Sequence, residues 1–364
     1  MKKTPLLIAI LLITAISCKD QSSQVNETTL DKPSRTSVKL ELKSIAVDSI
    51  SIRSLDFNEE YWFAASKNTY GTIDPKTNAI ESFEIDNDTT SLEFRSIAVT
   101  ENFTYILNAG APAHIFKINH ATMDVHEVYT ENGEGVFYDS MKFWNDEEGI
   151  VFGDPTAQGQ SKCISILKTI DGGSTWKKIS CERLPDFVEG EAGFAASNSN
   201  IVLGGDKVLI ATGGAAARVL YSKDRGERWT VQETPIVSGG QMTGIFAMDF
   251  YNKSLGIIVG GDWSQKENNS KNMAITNDGG ATWNLLAEGS GPGYCSDVLF
   301  IPGTEGREIL ALATQGVWWS GDQGTTWHKL SDEGFYTAAM KNSREGVLTG
   351  YAKAASFQLL EQKK

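Results

Sequence analysis

The chain has 364 residues, and its 33 Lys and Arg against 46 Asp and Glu give a formal net charge of −13. This acidity argues against a nucleic-acid partner, because binding to a phosphate backbone requires concentrated positive charge. The 35 Gly and nine Trp, with only nine Pro, favour an all-β chain of many short strands joined by tight turns.

The N-terminus has the pattern of an export signal. Two lysines precede an apolar run, Leu6–Ile16, that is too short for a permanent membrane-spanning helix. The run ends in the letters AISC, which look like a bacterial lipobox with Cys18 as the residue that becomes lipidated. We therefore predict a lipoprotein signal peptide at residues 1–17. A plain cleavable signal peptide, with Cys18 incidental, is the alternative.

The segment after Cys18 is polar and nearly free of apolar side chains, so residues 18–37 are predicted to be a lipidated cysteine with a flexible linker. Residues 38–364 are predicted to form the folded body. The expected location is the bacterial cell envelope, as an outer-membrane lipoprotein that faces either the periplasm or the cell surface, with the membrane contacted through the lipid anchor.

Four copies of the pattern S/T-x-D-x-G-x-T-W, here called the box turns, recur at intervals of 53, 54 and 44 residues. Self-similarity at about 40–50 residues is typical of propeller blades or solenoid units. In each copy Gly supplies the positive φ of a turn, the Asp and the hydroxyl can bind turn amides, and the Trp can pack between sheets. We interpret these residues as structural rather than catalytic: Asp171, Asp224, Asp278 and Asp322, with Trp176, Trp229, Trp283 and Trp327.

A second repeated element, two apolar strands joined by a turn, precedes each box turn and is clearest at Phe246–Trp263 and Tyr138–Pro155. Seven copies are present, although the first two have degenerate turns in place of boxes. The seventh ends too early for an outer strand, which Val38–Ile45 could supply. Closing the ring in this way would remove exposed sheet edges. The sequence therefore predicts an all-β, seven-bladed β-propeller closed by an N-terminal strand.

The four box turns, together with the segments FRSI (Phe94–Ile97), GEAGFAAS and ATGGAAARVL, resemble the BNR or Asp-box propellers related to the photosystem II stability and assembly factor family. The resemblance covers roughly residues 44–360. It implies a propeller fold and a binding scaffold for membrane-protein assembly, although bacterial members often carry the labels "oxidoreductase" or glycosyl-hydrolase-like. Fold transfers by such analogy more safely than activity does.

In a propeller, the first strand of every blade begins at the channel mouth opposite the box turns, where loops on a rigid scaffold commonly bind ligands. Aligning the first strands places charged and aromatic side chains there, and nearby loops add more. Arginine suits the carboxylate of a ligand or peptide, but these charges could instead only pair with each other. The candidate residues are Arg53, Arg95, Asp139, Glu191, Arg218, Asp262 and Tyr336.

The leading hypothesis is a monomeric, non-enzymatic, membrane-anchored binding or assembly propeller that recognises a protein or glycan at this mouth. The competing hypothesis is a sialidase-like glycoside hydrolase, because sialidases share Asp boxes and use three arginines with a Tyr–Glu pair. No such pair is evident in the sequence. A glycine-rich loop, Gly289–Cys295, lacks the strand–turn–helix context of a dinucleotide site, so a hydrolase is favoured over an oxidoreductase. We expect no cofactor and no metal, since the four histidines have no metal-ligand spacing.

Cys163 and Cys181 are equidistant from Gly172, the centre of the first box turn. In a regular hairpin they would face each other across the two outer strands, near disulfide distance. An exported location permits oxidation, so this pair is the candidate disulfide. Cys295 is expected to be buried.

Overall fold

The computed structural model describes residues 37–86 and 91–362. The predictions for the signal peptide, for lipidation at Cys18 and for the linker up to residue 36 fall outside the described residues. In the part of the chain that the structure describes, no helix has the length and apolar character needed to cross a membrane.

The described chain forms seven radial sheets of antiparallel strands, as predicted. The first strand, β1 (Val38–Ile45), belongs to the last blade. The first three blades are β2 (Ile52–Asn58), β3 (Glu60–Ala65), β4 (Thr69–Ile73) and β5 (Ile80–Glu84); β6 (Phe94–Val99), β7 (Phe103–Asn108), β8 (Ala113–Asn119) and β9 (Val125–Glu131); and β10 (Tyr138–Phe143), β11 (Gly149–Gln158), β12 (Ser161–Thr169) and β13 (Lys177–Lys178).

The fourth and fifth blades are less regular, because a short 3-10 helix, Cys181–Arg183, and two short strands, β14 (Glu191–Ala192) and β17 (Gly213–Gly214), lie near them. Both short strands extend the fifth sheet. The remaining strands are β15 (Ile201–Gly204), β16 (Lys207–Ala211), β18 (Arg218–Ser222) and β19 (Thr230–Glu233); β20 (Thr243–Phe250), β21 (Gly256–Asp262), β22 (Met273–Thr276) and β23 (Asn284–Leu285); β24 (Cys295–Phe300), β25 (Ile309–Ala313), β26 (Gly316–Ser320) and β27 (His328–Ser331); and β28 (Thr337–Met340), β29 (Glu345–Gly350) and β30 (Lys353–Glu361).

The N-terminal strand closes the ring. β1 pairs antiparallel with β30 in register from Val38 opposite Glu361 to Ile45 opposite Ala354, and the order of the last sheet is β1-β30-β29-β28. The outermost strand of the seventh blade therefore comes from the start of the chain, which confirms the predicted closure. Pairing of β1 with β30 thus joins the two ends of the described propeller in one blade and holds the ring closed.

The apolar core lies between neighbouring blades. Trp327, which is 8% exposed, packs with Val259 of the fifth blade and Ala311 of the sixth. Trp176 lies in the same way between Tyr105 of the second blade and Val151 of the third. The tryptophan that follows each box turn thus fills the gap to the preceding blade.

The four box turns share one set of hydrogen bonds. Asp171 Oδ1 accepts the Thr169 hydroxyl at 2.8 Å and the Thr175 amide at 2.9 Å, and the Gly173 amide donates to Thr169 Oγ1 at 2.9 Å. The same three bonds recur around Asp224, Asp278 and Asp322. Hydrogen bonds from the side chain and then the amide of Thr282 lower the pKa of Asp278 to about 2. Each carboxylate is therefore held by its own turn.

A segment before the fourth blade crosses the central channel. The Asn198 side-chain amide donates to the Ile97 carbonyl at 2.7 Å and accepts from the Ser96 hydroxyl at 2.5 Å, both in the second blade. The Thr337 hydroxyl of the seventh blade donates to the Ser197 carbonyl at 3.3 Å. Blades two, four and seven are not neighbours, so these bonds span the centre of the ring. The segment therefore links innermost strands on different sides of the channel.

Cys163 and Cys181 are joined by a disulfide with their Cα atoms 5.5 Å apart. The prediction that Cys181 lies on the outer strand is wrong, because β13 ends at Lys178 and Cys181 begins the 3-10 helix. The bridge therefore fixes the start of the loop that leads to the fourth blade. Cys295 is a free, fully buried thiol, and burial raises its pKa.

Candidate binding site

Three of the predicted mouth residues, Arg53, Arg95 and Asp139, lie at β-bulges of the innermost strands. In five of the seven innermost strands the register skips one residue at the aligned position; in β2, Ile52 pairs with Ala65 and Ser54 with Ala64. A bulge of this kind leaves one residue without a cross-strand partner and re-aims its side chain. The skipped residues are Arg53, Arg95, Asp139, Phe246 and Ser296.

At the junction of the first and seventh blades, the Arg53 guanidinium lies over the ring of Tyr336, 4.0 Å from its centroid. The ring's position is fixed through its backbone, because the Tyr336 amide donates to the Thr349 carbonyl at 2.8 Å and its carbonyl accepts the Ser296 hydroxyl at 2.9 Å. A cation over an aromatic face is attracted to the ring quadrupole. Arg53 is thereby oriented without a carboxylate.

Arg95, in the adjacent second blade, is also partly buried. Burial, and next the charge of Arg53, lower its pKa, while Glu93 and Tyr336 oppose that shift. An arginine stays charged under these conditions. Within the described ranges, neither Arg53 nor Arg95 forms an ion pair, and Arg53 Nε is buried with no hydrogen-bond partner. Arg53, Arg95 and Tyr336 are called the arginine sector below.

In the third blade, next to the arginine sector, Asp139 and Asp154 lie close together. Asp139 is fully buried, and neither of its carboxyl oxygens has a hydrogen bond of ordinary geometry within the described chain, although the Ala195 amide faces it and favours the ionised form. Burial, and next Asp154, raise the pKa of Asp139 well above its usual range. Asp154 accepts the Gly193 amide at 2.9 Å, yet burial raises its pKa to about 6.

The side of the mouth formed by the fourth to sixth blades is aromatic. Phe194 and Phe246 stack in parallel with centroids 3.8 Å apart, and Tyr294 meets Phe246 edge-on at 4.7 Å. Sequence reasoning missed Phe194, because it lies between β14 and β15, where no strand alternation marks it. A glycine directly before an aromatic residue was the only local signal.

Two predicted mouth residues pair with each other. Arg218 Nη2 and Nε donate to the two oxygens of Glu191 at 2.5 and 3.1 Å, and the Glu191 side chain is 1% exposed. Thr212 and the Val188 amide complete the bonding of Glu191. For Glu191 and Arg218, the alternative that the charges at the mouth only pair with each other is therefore correct. The pair holds β14 against β18.

The carboxylate of Asp262 likewise already accepts hydrogen bonds from its own loop. Its carboxylate accepts the Ser264 amide at 2.8 Å, the Ser264 hydroxyl at 2.5 Å and the Gln265 side chain at 3.1 Å. These bonds stabilise the turn after β21 and hold its pKa below the usual range, chiefly through the Ser264 hydroxyl. Asp262 thus shapes the loop that carries Trp263, which is 45% exposed.

A Tyr–Glu pair does exist, but it lies elsewhere. Glu131 accepts both the Tyr129 and Tyr138 hydroxyls at 2.6 Å, and Lys178 donates to its other oxygen at 2.7 Å. Tyr138 is 1% exposed, and burial raises the pKa of both phenols. A nucleophilic phenol needs a lowered pKa and access to substrate. Among the described residues, no group of three or more His, Cys, Asp or Glu could hold a metal ion.

The sequence matches no protein-family model and no curated protein. Among solved structures, it is similar to "YCF48 bound to D1 peptide", with a TM-score of 0.63 and 12% identity over 88% of this chain and 98% of that one. YCF48 from Cyanidioschyzon merolae gives a TM-score of 0.60 and 13% identity over 87% and 98% of the two chains. The WD40 repeats of RRP9 give 0.61 and 9% over 89% and 100%. Likenesses at such identity establish the propeller fold alone.

Proposed function

We propose that the protein is a non-enzymatic binding propeller that recognises a carboxylate of a protein partner in the arginine sector. One observation carries the proposal. Two partly buried guanidiniums lie at the bulges of the adjacent strands β2 and β6, where the charge of Arg53 lowers the pKa of Arg95, and neither forms an ion pair within the described residues.

The absence of a described partner is informative because acids are plentiful in this chain, with 46 Asp and Glu against 33 Lys and Arg. Partly buried like charges are unfavourable until an opposite charge compensates them. The planar fork of arginine matches a carboxylate in two parallel hydrogen bonds. A side-chain or C-terminal carboxylate of a partner would relieve the repulsion between Arg53 and Arg95.

A protein segment fits the mouth better than a glycan. The loops on this face carry exposed apolar side chains, including Met242, Trp263 and Tyr351, and aromatic and Met side chains are enriched at protein interfaces. One of the structurally similar propellers is described as bound to a peptide. A glycan partner remains an outcome of the test.

We include membrane anchoring in the proposal, and the position of β1 indicates from which face of the propeller the anchor would extend. β30 runs from the turn at Tyr351, on the mouth side, to Glu361 on the side of the box turns, and Val38 pairs with Glu361. The chain before Val38 therefore joins the propeller on the box-turn face. A lipid at Cys18 would therefore be connected through the chain to the box-turn face and not to the mouth.

The test is capture of partners from native membranes by the full chain. The variant is Arg53→Gln with Arg95→Gln, and the matched control is Arg228→Gln with Arg344→Gln, which removes the same charge from exposed residues at box-face turns. We expect wild type and control to retain one stoichiometric partner that the mouth variant loses, and a synthetic peptide from that partner to compete. If the mouth variant retains the partner as well as wild type does, the proposal is overturned. If only a glycan competes for binding, the partner is a glycan and not a protein.

The sialidase-like alternative has less support. Arg218, the third arginine that it would need, is committed to Glu191, and the Tyr–Glu pair is buried between the second and third blades. Assaying the purified protein with a fluorogenic sialoside addresses it directly. Turnover that is lost in Arg95→Gln would reverse the non-enzymatic assignment.

A further inference from the structure

Asp139 is unusual among the acids of this chain. The four box-turn aspartates each accept hydrogen bonds from their own turns, whereas Asp139 is 0% exposed and, within the described residues, only the Ala195 amide faces it, outside ordinary hydrogen-bond geometry. Buried polar groups in folded proteins are nearly always hydrogen-bonded, because the loss of water is otherwise uncompensated. A fully buried carboxyl with so little hydrogen bonding therefore requires an explanation beyond folding.

Gly193 sets the arrangement of the two acids. Its amide donates to Asp154 Oδ1 at 2.9 Å, and a Cβ on Gly193 would lie 2.3 Å from Asp139 Oδ2. Only a residue without a side chain permits this approach. Asp139 thus lies beneath Gly193, while Asp154 lies beside it and is partly exposed. The two residues are called the acid pair.

The acid pair and the arginine sector are neighbours that do not neutralise each other. Arg53, Arg95 and Asp139 are the bulge residues of β2, β6 and β10 in three consecutive blades. In the described chain no ion pair joins the two sectors. The mouth therefore presents positive charge on one side and acidic groups on the next.

We infer that the acid pair is a cation-binding subsite, which takes the ammonium or guanidinium group of a lysine or arginine in the same protein segment whose carboxylate binds Arg53 and Arg95. This inference rests on the proposed function and adds the second charge that the partner must carry. Asp154 makes the contact. Asp139 lies behind it, packed against Gly193, whose amide binds Asp154, and acts as a positioning residue.

The surroundings leave the acid pair uncompensated. On β6 the nearest charged residue is Arg95, and on β14 the only one is Glu191, which Arg218 neutralises. On β10 itself, Lys142 lies toward the opposite end of the strand. A cation delivered by a partner would therefore be the opposite charge that these two carboxyls lack.

Binding of a cation should be linked to protons. An approaching ammonium group favours the ionised carboxylates, so binding at a pH below about 6 releases a proton, and the advantage of a lysine grows as the pH rises through about 6. A purely structural acid pair would give no such dependence on the ligand.

The experiment uses fluorescent synthetic peptides with one Glu and one Lys, two to six residues apart, in a Gly-Ser background. Matched peptides carry Gln in place of Lys or of Glu. We expect the full chain to bind the best Glu–Lys peptide about tenfold more tightly than its Glu–Gln counterpart at pH 7.5, and about equally at pH 5. Asp154→Asn should remove the tenfold preference and keep the requirement for Glu, whereas Asp124→Asn, an exposed acid of a box-face turn, should change neither.

The outcomes separate the two claims. An unchanged lysine preference in Asp154→Asn, or a preference that does not vary with pH in wild type, overturns the acid-pair subsite. Binding that requires Glu but gains nothing from Lys at any spacing also overturns it, and leaves the proposed function standing. If the wild type binds every peptide equally well with Glu or Gln, both the acid-pair subsite and the proposed function are overturned. The pH series needs only the wild type, so the test survives a variant that fails to fold.

Discussion

The guanidinium of Arg53 lies 4.0 Å from the ring centroid of Tyr336, and this contact joins the first blade to the last at the mouth of the propeller. The two residues are far apart in sequence and meet because β1 closes the ring against β30. The contact holds one of the two uncompensated arginines in place while leaving its charge available.

Replacing Tyr336 with Leu should weaken carboxylate binding. The substitution removes the aromatic face under Arg53, which contributes about 0.5–1 kcal/mol at accessible sites, so affinity for a Glu-bearing peptide should fall about two- to fivefold. Tyr336→Phe keeps the ring and should bind within about twofold of wild type. Isothermal titration of the three proteins checks this. A loss in Tyr336→Phe equal to that in Tyr336→Leu would point to the hydroxyl instead.

Removal of Trp327 should destabilise the protein far more than removal of Trp263. Trp327 is 8% exposed between the fifth and sixth blades, and Trp263 is 45% exposed on a loop. Truncating a buried Trp to Ala typically lowers the free energy of unfolding by 3–5 kcal/mol, so Trp327→Ala should destabilise by about that amount. Trp263→Ala should change it by less than about 1 kcal/mol. Urea unfolding measures both, and similar losses would contradict the interblade role of Trp327.

The box-turn aspartates should support stability in neutral solution and lose that role in acid. Hydrogen bonds hold the pKa of Asp278 at about 2, below its value in the unfolded chain. A depressed folded-state pKa contributes stability above the unfolded pKa of about 3.9, and this contribution is lost as the pH falls toward about 2. The difference in urea midpoint between wild type and Asp278→Asn should therefore shrink from pH 6 to pH 2. A constant difference would mean that the charge of Asp278 is irrelevant to the turn.

The blades could be predicted from the sequence because their signals are local. The box turn, the alternation of apolar residues and the Trp after each turn all lie within a few residues of one another, and the shortage of one strand in the last repeat identified β1. The site depends on contacts between distant residues. Asn198 meets Ile97 about a hundred residues away, and the bulges that aim Arg53 and Asp139 interrupt the alternation on which sequence reasoning relies. For the same reason, the pairing of Glu191 with Arg218 could be raised only as an alternative.

The acid pair should make the folded protein less stable as the pH rises from about 4 to about 6. Burial raises the pKa of Asp154 to about 6, so in this window the folded chain keeps a proton that the unfolded chain has released. Because the native state then binds more protons than the unfolded state, the free energy of unfolding falls with increasing pH, by up to about 3 kcal/mol for a shift of this size.

Asp154→Asn can still accept the Gly193 amide through its side-chain oxygen, but it cannot ionise. Its free energy of unfolding should therefore lack this decline, so that wild type loses stability relative to the variant between about pH 4 and pH 6. Urea unfolding of the two proteins across that range measures the difference. A difference that stays constant with pH would show that Asp154 ionises as freely in the folded chain as in the unfolded one. A partner's cation would then have no raised pKa to lower.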